Sequence, residues 1–488
     1  MIDTQAIRKK ILDLALRGKL TEQLPEDGTG QQLFQHIQER KAVLAGTGKA
    51  KKQESLIPLT KEDIPFEIPD NWQWVRLGDI TAKITSGSTP TGGKKSDAYV
   101  DKGFCFFREQ NIYNDGIHSE GMVYVTEQLL NTRENSTVIA KDILLNITGG
   151  SIGRCAIVPD DFSKGSINQH ILIIRMVEDE TRFFTHLVLC SPYAQNHIKS
   201  KAVGDKDGFS GGRCKYMPVP LPSLPVQKRI VSIIHSAFSV LDTIDTLQSQ
   251  YQDNLATLKS KIIDAGIQGK LTEQLPEDGN AEELYQQIQR EKLALEKAGK
   301  IKKSKPLPPI SEEEKPFDIP ENWKWVRWGA LSEQIQYGYI ASAKDSGRIK
   351  MVRISDIQDN KVIWGNVPYC DIDDANIDAY LLHDNDILFA RTGGTVGKSY
   401  LVENITEKAV FAGYLIRSSY SDKLDAKYIK IFMNSNLYWK QLQNGTTATA
   451  QPNCNGQTLS KMVLPLPPLG EQKRIVAKLE ELLPLCEG

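Results

Sequence analysis

The longest regular alternation of apolar and polar positions lies near the middle of the chain, where apolar or small residues recur at alternating steps of four and three. The positions are Ile230, Ile234, Ala237, Leu241, Ile244, Tyr251, Leu255, Leu258, Ile262 and Ala265. A 3.5-residue period over about five heptads, broken only at Gln248, is typical of a coiled coil. The pattern predicts a helix over 226–268, about 60 Å long at 1.5 Å per residue. It would stop at Gly269, because glycine tolerates the left-handed conformation of helix ends.

Both ends of the chain carry parts of the same apolar pattern. The matching residues are Ile475, Leu479 and Leu482 at the C-terminus and Ile7, Ile11 and Leu14 at the N-terminus. The central helix therefore has a counterpart that is split between the termini, and we expect an antiparallel pairing with an approximate two-fold axis. The chain stops at "EELLPLCEG", soon after the last helix begins, and the N-terminal helix would supply the missing heptads. The alternative is a long amphipathic helix packed on one domain.

The stretch "GKLTEQLPEDG" occurs twice, letter for letter, at Gly18–Gly28 and Gly269–Gly279. Further similar pairs are 33–52 with 284–303, 65–80 with 316–331, 107–112 with 352–357, 148–154 with 392–398, and 217–234 with 462–479. A period of half the chain indicates two copies of one module rather than a solenoid. The flanks match closely, whereas the middles, 81–216 and 332–461, diverge. We expect the flanks to do one job twice, and the middles to share a scaffold but do different jobs.

A second, shorter helix is predicted in each flank, over 30–45 and 281–298. Each ends in a lysine run, which continues into a proline-containing linker. The lysines are Lys49, Lys51 and Lys52 in the first copy and Lys300, Lys302 and Lys303 in the second. A solvated linker and contact with DNA phosphates are the two interpretations of these runs.

The divergent middles are typical of compact mixed domains. "DILLNITGGSIGRCAIV" and "DILFARTGGTVGKSYLV" each predict a strand, a glycine turn and a strand, and "INQHILIIRM" and "VFAGYLIRS" predict further strands. "TRFFTHLVLCSPYAQNHIKS" and "LDAKYIKIFMNSNLYWKQLQN" predict helices. The stretches "WQWVRLGDI" and "WKWVRWGAL" alternate like half-buried strands, with Trp72, Trp74, Trp323 and Trp325 expected in the core. Each middle would be an α+β domain of about 140–160 residues.

Composition narrows the function. The 488 residues carry 60 Lys and Arg against 61 Asp and Glu, a formal net charge of −1, which disfavours a globally basic protein that coats nucleic acid but allows local basic patches. No apolar run reaches the ~20 residues of a membrane span. The seven scattered cysteines lack a CxxC pair and the seven histidines lack ligand spacing, which predicts reduced thiols and no metal site. H-E-x-x-H, G-x-S-x-G, N-P-P-[YF] and D-P-P-Y do not occur.

The stretch "TGGTVGKS" is similar to a phosphate-binding loop, G-x-x-x-x-G-K-[ST], but does not fit it. Thr392 stands where the first glycine is required, and the sister copy has Arg154 and Cys155 in place of the lysine and the hydroxyl. The segment that follows is predicted to be a strand, whereas a phosphate-binding loop leads into a helix. Three interpretations follow: a tight turn, a glycine loop that brings Arg154 or Lys398 toward DNA phosphate, and a nucleotide-using enzyme, which these mismatches disfavour.

The combination of motifs resembles one family. The stretches "IPDNWQWVRLGDI", "SGSTPTGGKK", "FREQNI", "TGGSIGR" and "PLPxLxxQKRIV", set between near-identical helical flanks, look like the specificity subunit of type I restriction–modification systems. The resemblance covers essentially the whole chain, and both halves show it independently. Each motif alone is weakly specific, but together they are specific.

The resemblance implies an α+β fold. Two target recognition domains would be separated by long antiparallel coiled-coil helices in a pseudo-two-fold internal repeat. The implied boundaries are 1–64 for the N-terminal part of the helical spacer, 65–225 for recognition domain 1, 226–315 for the central spacer, 316–470 for recognition domain 2, and 471–488 for the C-terminal spacer helix.

The resemblance also implies a non-catalytic subunit of a cytoplasmic prokaryotic complex. Each recognition domain would read one half of a bipartite, asymmetric double-stranded DNA site, and the helices would set the spacer and dock two methyltransferase subunits. Those partners would methylate adenine at N6 with S-adenosylmethionine, and two restriction subunits would use ATP and Mg²⁺ to translocate and cleave DNA. No cofactor, metal or membrane is expected for this chain itself. The alternative is a coiled-coil adapter with two protein-binding domains.

Polar and basic residues of the divergent middles are the candidate DNA contacts, because such side chains bind base edges and phosphates. In the first half they are Thr89, Lys94, Lys95, Arg108, Gln110, Asn111, Arg154, Lys206, Ser210, Arg213 and Lys215. In the second half they are Tyr337, Tyr339, Lys344, Arg348, Lys350, Arg353, Lys398, Thr446, Thr447, Gln451 and Asn453. Arg108 and Arg353 occupy matched positions, which favours a shared phosphate or structural role over base reading.

Overall fold

The computed structural model describes residues 1–46, 56–90, 99–202, 208–358, 361–405, 407–445 and 454–487. The chain forms two compact units, unit 1 (Met1–Gln248) and unit 2 (Ser249–Gly488). The boundary between them lies inside one long helix.

Unit 1 combines helices with short strands. Its helices are α1 (Thr4–Leu16), α2 (Gly30–Gly46), α3 (Glu127–Thr132), α4 (Arg182–Cys190), α5 (Pro192–Lys201), α6 (Gly211–Lys215) and the first part of α7 (Leu224–Ile267). Its strands are β1 (Gln73–Arg76), β2 (Thr81–Ser86), β3 (Tyr99–Val100), β4 (Phe104–Phe107), β5 (Ile112–Tyr113), β6 (Gly116–Ile117), β7 (Val123–Val125), β8 (Thr137–Ile139), β9 (Ile143–Asn146), β10 (Cys155–Ile157), β11 (Lys164–Ile167), β12 (Ile171–Met176) and β13 (Pro218–Leu221).

Two sheets form the globular part of unit 1. One has the order β10-β9-β12-β2 and is antiparallel throughout, and the other has the order β3-β7-β4-β11-β8, with β4 and β11 parallel. All four residues of β9 are buried, as expected of a strand covered on both faces. Outside these sheets β1 pairs with β13, from Gln73 opposite Leu221 to Arg76 opposite Pro218. The chain therefore enters and leaves the recognition segment through two neighbouring strands.

In unit 1, α1 runs antiparallel to the first part of α7. Thr4 Oγ1 donates a hydrogen bond to Asp245 Oδ1 over 2.5 Å, and one turn later Arg8 Nη2 lies 2.8 Å from Asp242 Oδ1. Position numbers rise along α1 as they fall along α7, which is the predicted antiparallel direction. On α7 the predicted apolar residues Ile230 and Ile234 are fully buried.

Unit 2 repeats the plan of unit 1. Its helices are the second part of α7, α8 (Ala281–Lys297), α9 (Trp328–Leu331), α10 (Asp374–Tyr380), α11 (Ala426–Phe432), α12 (Asn436–Gly445), α13 (Gly456–Lys461) and α14 (Leu469–Leu482). Its strands are β14 (Lys324–Arg327), β15 (Ser332–Tyr337), β16 (Ile349–Val352), β17 (Ile357–Gln358), β18 (Lys361–Val362), β19 (Tyr369–Cys370), β20 (Ile387–Ala390), β21 (Ser399–Leu401), β22 (Ala409–Phe411), β23 (Leu415–Tyr420) and β24 (Val463–Leu466).

The four-stranded sheet of unit 2 has the topology of its unit 1 counterpart, whereas the second sheet has three strands, β19-β16-β22, against five in unit 1 and shares the parallel pair. The order β15-β23-β20-β21 corresponds to β2-β12-β9-β10, and β16 pairs in parallel with β22 as β4 does with β11. β14 pairs with β24, from Lys324 opposite Leu466 to Arg327 opposite Val463, and again brings together the two ends of the recognition segment. The divergent middles therefore share one scaffold, as the sequence repeat predicted.

The predicted coiled-coil seam is wrong by one position in part of both units. Ile7 on α1 and Leu258 on α7 were expected inside, yet they are 38% and 47% exposed, and Tyr251 is 55% exposed. The buried residues of these segments are Leu12, Ala15 and Leu16 in unit 1 and Ile263, Gly266 and Ile267 in unit 2. The reason is that α1 also packs against α4 and α5, and α7 also contacts α12 through Asp264 and Asn436. A helix that packs against both a domain and another helix buries a wider face than a helix that packs against one partner helix only.

The duplicated eleven-residue stretch begins with the stop of a helix. Gly18 and Gly269 have φ of +67° and +70°, and the following amides close the turn, Lys19 N–H to Leu14 O at 2.9 Å and Lys270 N–H to Ala265 O at 3.0 Å. A Cβ at Gly18 would lie 2.3 Å from Cγ of Pro69. Glycine is required here both by the left-handed conformation and by the close approach of the next segment.

The same stretch ends in a buried ion pair with the "QKRIV" helix. In unit 1 the Arg229 guanidinium binds both carboxylate oxygens of Asp27, at 2.6 and 2.5 Å. In unit 2 Arg474 binds Asp278 in the same way, at 2.9 and 2.5 Å. Each "LPEDG" aspartate is therefore joined to the arginine near the start of a later helix, α7 in unit 1 and α14 in unit 2, and the duplicated stretch is one structural corner used twice.

The second helix of each flank is fastened to its recognition domain by a lysine. Lys41 Nζ donates to the carbonyl of Gly78 at 2.6 Å, and Lys292 Nζ donates to the carbonyls of Gly329 and Ser332, each at 2.6 Å. Burial lowers the pKa of both lysines. These matched bonds explain why the short helices are part of the repeat. The lysine run at 49–52 lies outside the described residues.

Three local predictions are refined by the structure. "INQHILIIRM" and "VFAGYLIRS" each contain two strands, because the chain turns at 168–170 and at 412–414 between them. Trp72 and Trp323 are buried, whereas Trp74 and Trp325 are only half-buried. The "TGG" segments form 3₁₀ turns, Gly149–Ser151 and Gly393–Thr395, and lead into strands as predicted.

Among the described helices, α7 is the one that is long and apolar enough to cross a membrane by length and composition. Its first part carries Asp242 and Asp245, which both bind Arg8 of α1. Ile230 and Ile234 on the same helix are fully buried in unit 1. Packing within the protein therefore accounts for part of the apolar character of α7, whereas Ile233, Val240 and Leu247 of the same helix are exposed.

Candidate nucleic-acid interface

Three strands of the unit 1 sheet end or begin side by side. Ile171 of β12 lies opposite Asn146 of β9, and Leu172 lies opposite Ser86 of β2. The segments after β2, after β9 and before β12 therefore emerge at one edge of the sheet. Two further segments join them, since Asn146 Nδ2 donates to the Glu109 carbonyl at 2.8 Å and Phe209 N–H donates to the Ile147 carbonyl at 2.9 Å. We call this surface the unit 1 edge: residues 86–90, 108–114, 147–154, 168–170 and 208–210.

The backbone of the unit 1 edge is held by a few main-chain bonds. Ile147 N–H donates to the His170 carbonyl at 2.9 Å, and Gly153 N–H donates to the Asn146 carbonyl at 2.9 Å. The glycine turn is thus tied at its base to the strand that it leaves. Gly153 has φ of +89°, so the turn needs a residue without a Cβ at this position.

Unit 2 has the same edge with the same backbone bonds. Arg391 N–H donates to the Tyr414 carbonyl at 3.3 Å, Cys454 N–H donates to the Arg391 carbonyl at 3.0 Å, and Gly397 N–H donates to the Ala390 carbonyl at 3.0 Å. These bonds repeat those of Ile147, Phe209 and Gly153, position for position. We call residues 337–340, 391–398, 412–414 and 454–456 the unit 2 edge.

A polar network crosses the unit 1 edge. Thr148 Oγ1 and His170 Nδ1 are 2.7 Å apart, and Gln169 Nε2 lies 3.1 Å from His170 Nε2. The Thr89 hydroxyl completes the network with a short hydrogen bond to the Gln169 side-chain oxygen. Gln169 is exposed, so its amide group is available to a ligand that displaces Thr89. The edge can therefore offer both donors and acceptors.

The arginine of the "TGGSIGR" loop is held by stacking. The Arg154 guanidinium carbon lies 4.4 Å from the centroid of the Tyr113 ring, and that ring stacks on His118 at 4.2 Å with an interplanar angle of 15°. Stacking on an aromatic face fixes a guanidinium while leaving its N–H groups free to donate. The matched residue in unit 2, Lys398, is exposed. Both units thus place a cation at this point.

One carboxylate is fixed at the unit 1 edge. Glu109 Oε2 accepts a 2.7 Å hydrogen bond from Asn168 Nδ2. Burial by itself raises the pKa of Glu109, but the hydrogen bond from Asn168, a backbone hydrogen bond and the nearby charge of Arg108 hold the pKa below its ordinary value. Glu109 is therefore ionised at neutral pH, and an ionised carboxylate accepts hydrogen bonds such as those of the cytosine amino group.

The structure places part of the predicted residues at the two edges. Those at or beside an edge are Thr89, Arg108, Gln110, Asn111, Arg154, Ser210, Tyr337, Tyr339 and Lys398. Arg213 and Lys215 lie on α6, directly after the unit 1 edge, and Arg213 Nη1 donates to the Lys201 carbonyl at 2.6 Å. Those that lie outside the described residues are Lys94, Lys95, Lys206, Thr446, Thr447, Gln451 and Asn453.

Two predicted DNA contacts are corrected by burial. Asn111 is fully buried, and its amide nitrogen donates to the carbonyls of His118 and Glu120, each at 3.1 Å. Lys350 is 7% exposed, and its Nζ lies 2.8 Å from the Trp364 carbonyl and 2.9 Å from a carboxylate oxygen of Glu407. Both side chains are taken up by contacts inside the protein and cannot reach a bound duplex.

The other basic candidates make local contacts. Arg353 binds both oxygens of Asp356, at 2.8 and 3.1 Å, and Arg108 donates to the Gly121 carbonyl. For the matched pair Arg108 and Arg353 the sequence predicts a phosphate contact or a structural role, and the contacts seen here are structural. Lys344 and Arg348 are exposed and form ion pairs with Asp371 and Asp374.

Sequence reasoning missed four residues of the edges: Gln169, His170, Arg391 and Tyr414. Each lies at the end of a strand or in the turn beside it. At these positions the two copies differ, although the nearby glycines and apolar residues match. In the repeat, Ile147 of the first copy corresponds to Arg391 of the second copy, and His170 corresponds to Tyr414. A residue-by-residue comparison of the two halves could have found them, because a difference between copies on a shared backbone marks a difference in task.

Comparison with known proteins identifies the family. The sequence model of the type I restriction modification DNA specificity domain matches residues 69–251 and 320–486. The chain belongs to this family. Each match covers one recognition segment and the helix that follows it, so the repeat is two copies of the specificity domain.

Relatives of known function cover nearly the whole chain. The type I restriction enzyme EcoEI specificity subunit of Escherichia coli is 27% identical over 548 residues, covering 99% of this chain and 89% of the relative. The EcoAI specificity subunit of Escherichia coli is 27% identical over 543 residues, covering 98% and 89%. The HsdS subunit from Thermoanaerobacter tengcongensis has a TM-score of 0.50 at 18% identity, with 87% of this chain and 92% of that chain covered.

A further solved chain, from a study of complex assembly and conformational transition of the type I R-M system, has a TM-score of 0.59 at 17% identity over 87% of this chain and 93% of that one. The structural likeness confirms the predicted fold class. The chain is thus the DNA sequence-recognition subunit of a type I restriction enzyme, a component without a catalytic site of its own. The adapter with two protein-binding domains is therefore set aside.

Proposed function

We propose that this specificity subunit reads a bipartite, asymmetric DNA sequence, one half-site through each unit. The observation that carries the proposal is the pair of edges, which share their backbone hydrogen bonds but differ in their exposed side chains. A shared backbone presents side chains to DNA in the same geometry, and base identity is read by side-chain donors and acceptors in the grooves. Two equivalent frames with different side chains would therefore read two different sequences.

The helices would set the distance between the half-sites and dock the other subunits. Half-site spacing is a geometric property, and α7 is a continuous helix of 44 residues that belongs to both units. Two methyltransferase subunits using S-adenosylmethionine and two restriction subunits using ATP and Mg²⁺ would complete the complex in a prokaryotic cytoplasm. The duplicated corners support two equivalent docking places, since Gly18–Gly28 and Gly269–Gly279 are identical in sequence and form the same ion pair in each unit.

Sequencing of methylated DNA tests the bipartite reading. The chain would be co-expressed with its methyltransferase subunit in cells that lack other adenine methylation, and modified positions mapped genome-wide. We expect one motif made of two short specified blocks separated by a fixed number of unspecified bases. A single contiguous motif, or methylation without sequence preference, would contradict the proposal.

An apolar stripe on α7 is the proposed contact for a methyltransferase subunit. Ile233, Val240 and Leu247 follow each other at seven-residue steps on one face of the helix, and they are 38%, 60% and 57% exposed. Large exposed apolar side chains in a row mark an interaction surface. The neighbouring residues Ile234 and Leu241 are buried within unit 1, so the exposed stripe is not required for its core.

We expect Val240→Glu to weaken association with the methyltransferase subunit by at least about tenfold, because the complex would have to bury a carboxylate without a partner. The free chain should keep its stability within about 0.5 kcal/mol, as a surface substitution does. Co-purification and analytical ultracentrifugation measure the association. Ser239→Glu is the matched control, since it adds the same charge one position away from the stripe. Equal loss in both variants would show a general charge effect and refute the assigned stripe.

A further inference from the structure

Arg391 of the unit 2 edge differs from its unit 1 counterpart, Ile147, both in chemistry and in its position relative to solvent. It directly follows β20, and its N–H and carbonyl make the same two backbone bonds as those of Ile147 in unit 1. Ile147 is buried at 6% exposure, whereas Arg391 is half-buried. One backbone position thus holds an apolar core residue in one unit and a guanidinium in the other.

The Arg391 side chain is held in place but not neutralised. Its guanidinium carbon lies 4.7 Å from the centroid of the Tyr337 ring. That ring is itself anchored, because the Tyr337 hydroxyl oxygen accepts a 3.0 Å hydrogen bond from Gly456 N–H at the start of α13. Within the described part of the chain the guanidinium makes no side-chain hydrogen bond or ion pair, and its Nε is buried without a partner. An arginine with a fixed plane and free terminal N–H groups is preorganised for a bidentate acceptor.

Comparison of the two units separates phosphate contacts from base contacts. Both units need to hold the DNA backbone, so a phosphate-binding cation is expected at a matched position. Arg154 and Lys398 occupy such a position, at the end of the same glycine turn. Arg391 has no cationic counterpart in unit 1, so its role belongs to unit 2 alone. On the proposed function, that is the recognition of its own half-site.

We propose that Arg391 reads a guanine in the half-site of unit 2, with its two terminal N–H groups donating to O6 and N7 in the major groove. A guanidinium fork matches these two acceptors, and arginine with guanine is the commonest specific contact of this kind. Tyr414 and Ile340 on the same edge are 67% and 91% exposed. Their apolar surface would exclude water from the contact once DNA is bound. This inference rests on the proposed function and names one determinant within it.

The test is the methylated motif of variants of the full chain co-expressed with its methyltransferase subunit. The half-site of unit 2 is identified first, by exchanging residues 332–461 and finding which half of the motif changes. Arg391→Ala should then make one G·C position of that half degenerate, with a loss of preference for G·C of roughly 5- to 150-fold, and leave the other half unchanged. Arg391→Lys keeps the charge and can still donate to guanine but lacks the planar fork, so it should lose less of the preference than Arg391→Ala while general DNA affinity is retained. An unchanged melting temperature of both variants excludes misfolding as the cause.

Other results would overturn the inference in distinguishable ways. A uniform fall in affinity for all sequences, as expected for Lys398→Ala, would make Arg391 a phosphate contact. Full retention of the motif in Arg391→Ala would refute a role in recognition. If the unmodified protein gives no bipartite motif, the proposed function itself fails and the inference falls with it, whereas a bipartite motif that is insensitive to Arg391 refutes the inference alone.

Discussion

Replacing residues 81–216 with the corresponding segment of another specificity subunit should change one half of the methylated DNA sequence and leave the other half unchanged. The expected effect is complete replacement of one specified block, because the exchanged segment contains the whole unit 1 edge. The spacer length should stay the same, since α7 is outside the exchanged segment. Sequencing of methylated DNA from cells that carry the chimera together with the methyltransferase subunit measures all three outcomes.

The pairing of β1 with β13 is the physical reason to expect a folded chimera. The two strands lie side by side just outside the exchange points, with Trp74 opposite Pro220 and Val75 opposite Val219. The segment therefore begins and ends at one place on the helical frame, and exchange leaves that ribbon intact. The reciprocal exchange of residues 332–461 uses the ribbon of β14 and β24 and should change the opposite block. Altered bases in both blocks after either exchange would contradict separate reading by the two units.

Arg474→Met should destabilise unit 2 by about 2–4 kcal/mol, because it removes the partner of a buried carboxylate. The Asp278 side chain is 6% exposed, and both of its oxygens are bound by Arg474. A melting temperature lower by roughly 5–12 °C is expected for a unit of this size. Arg229→Met should have a similar effect in unit 1 through Asp27. Lys473→Met, an exposed neighbour, is the control and should change the melting temperature by less than about 2 °C.

The corner also predicts how stability depends on pH. The hydrogen bonds from Arg474 hold the pKa of Asp278 below its ordinary value, and those from Arg229 do the same for Asp27. A carboxylate with a lowered folded-state pKa stabilises the protein above its unfolded pKa of about 3.9, and that contribution is lost as the pH falls through the folded pKa. The difference in stability between the unmodified protein and Arg474→Met should therefore be full at pH 7 and shrink below about pH 4. A difference that is constant down to pH 2 would show that the pair contributes through packing rather than through charge.

The positions of the helices were largely predictable, because their apolar pattern depends on residues close in sequence and occurs in both copies of the repeat. The period of 3.5 located α7 within two residues at each end, and matching of the two copies located α2, α8 and the glycine stops. The seam was misplaced by one position where α1 and α7 also pack against the recognition domains. A heptad pattern predicts which residues contact one partner helix. It does not show that a recognition domain also packs against the same helix and so widens its buried face.

The interface was less predictable because residue type does not decide exposure. Asn111 and Lys350 are polar and lie in the divergent middles, yet one caps a turn from inside and the other binds a carbonyl and a carboxylate. Arg391 stands directly before the predicted glycine turn, and the motif itself indicates only the residues from Thr392 onward. The apolar pattern of "INQHILIIRM" predicts a strand through Gln169 and His170, whereas the structure places them in the turn between two strands.

The sequence by itself determined that the chain is two copies of one module, which parts of the copies are equivalent, and where the long helices run and stop. These properties depend on periodicity, on glycine at left-handed positions and on identity between the halves, all of which are visible along the chain. Only the tertiary structure decided which side chains share an edge and which of them are exposed. The reason is that segments far apart in sequence, such as 86–90, 147–154 and 168–170, come together only through the order and register of the strands that carry them.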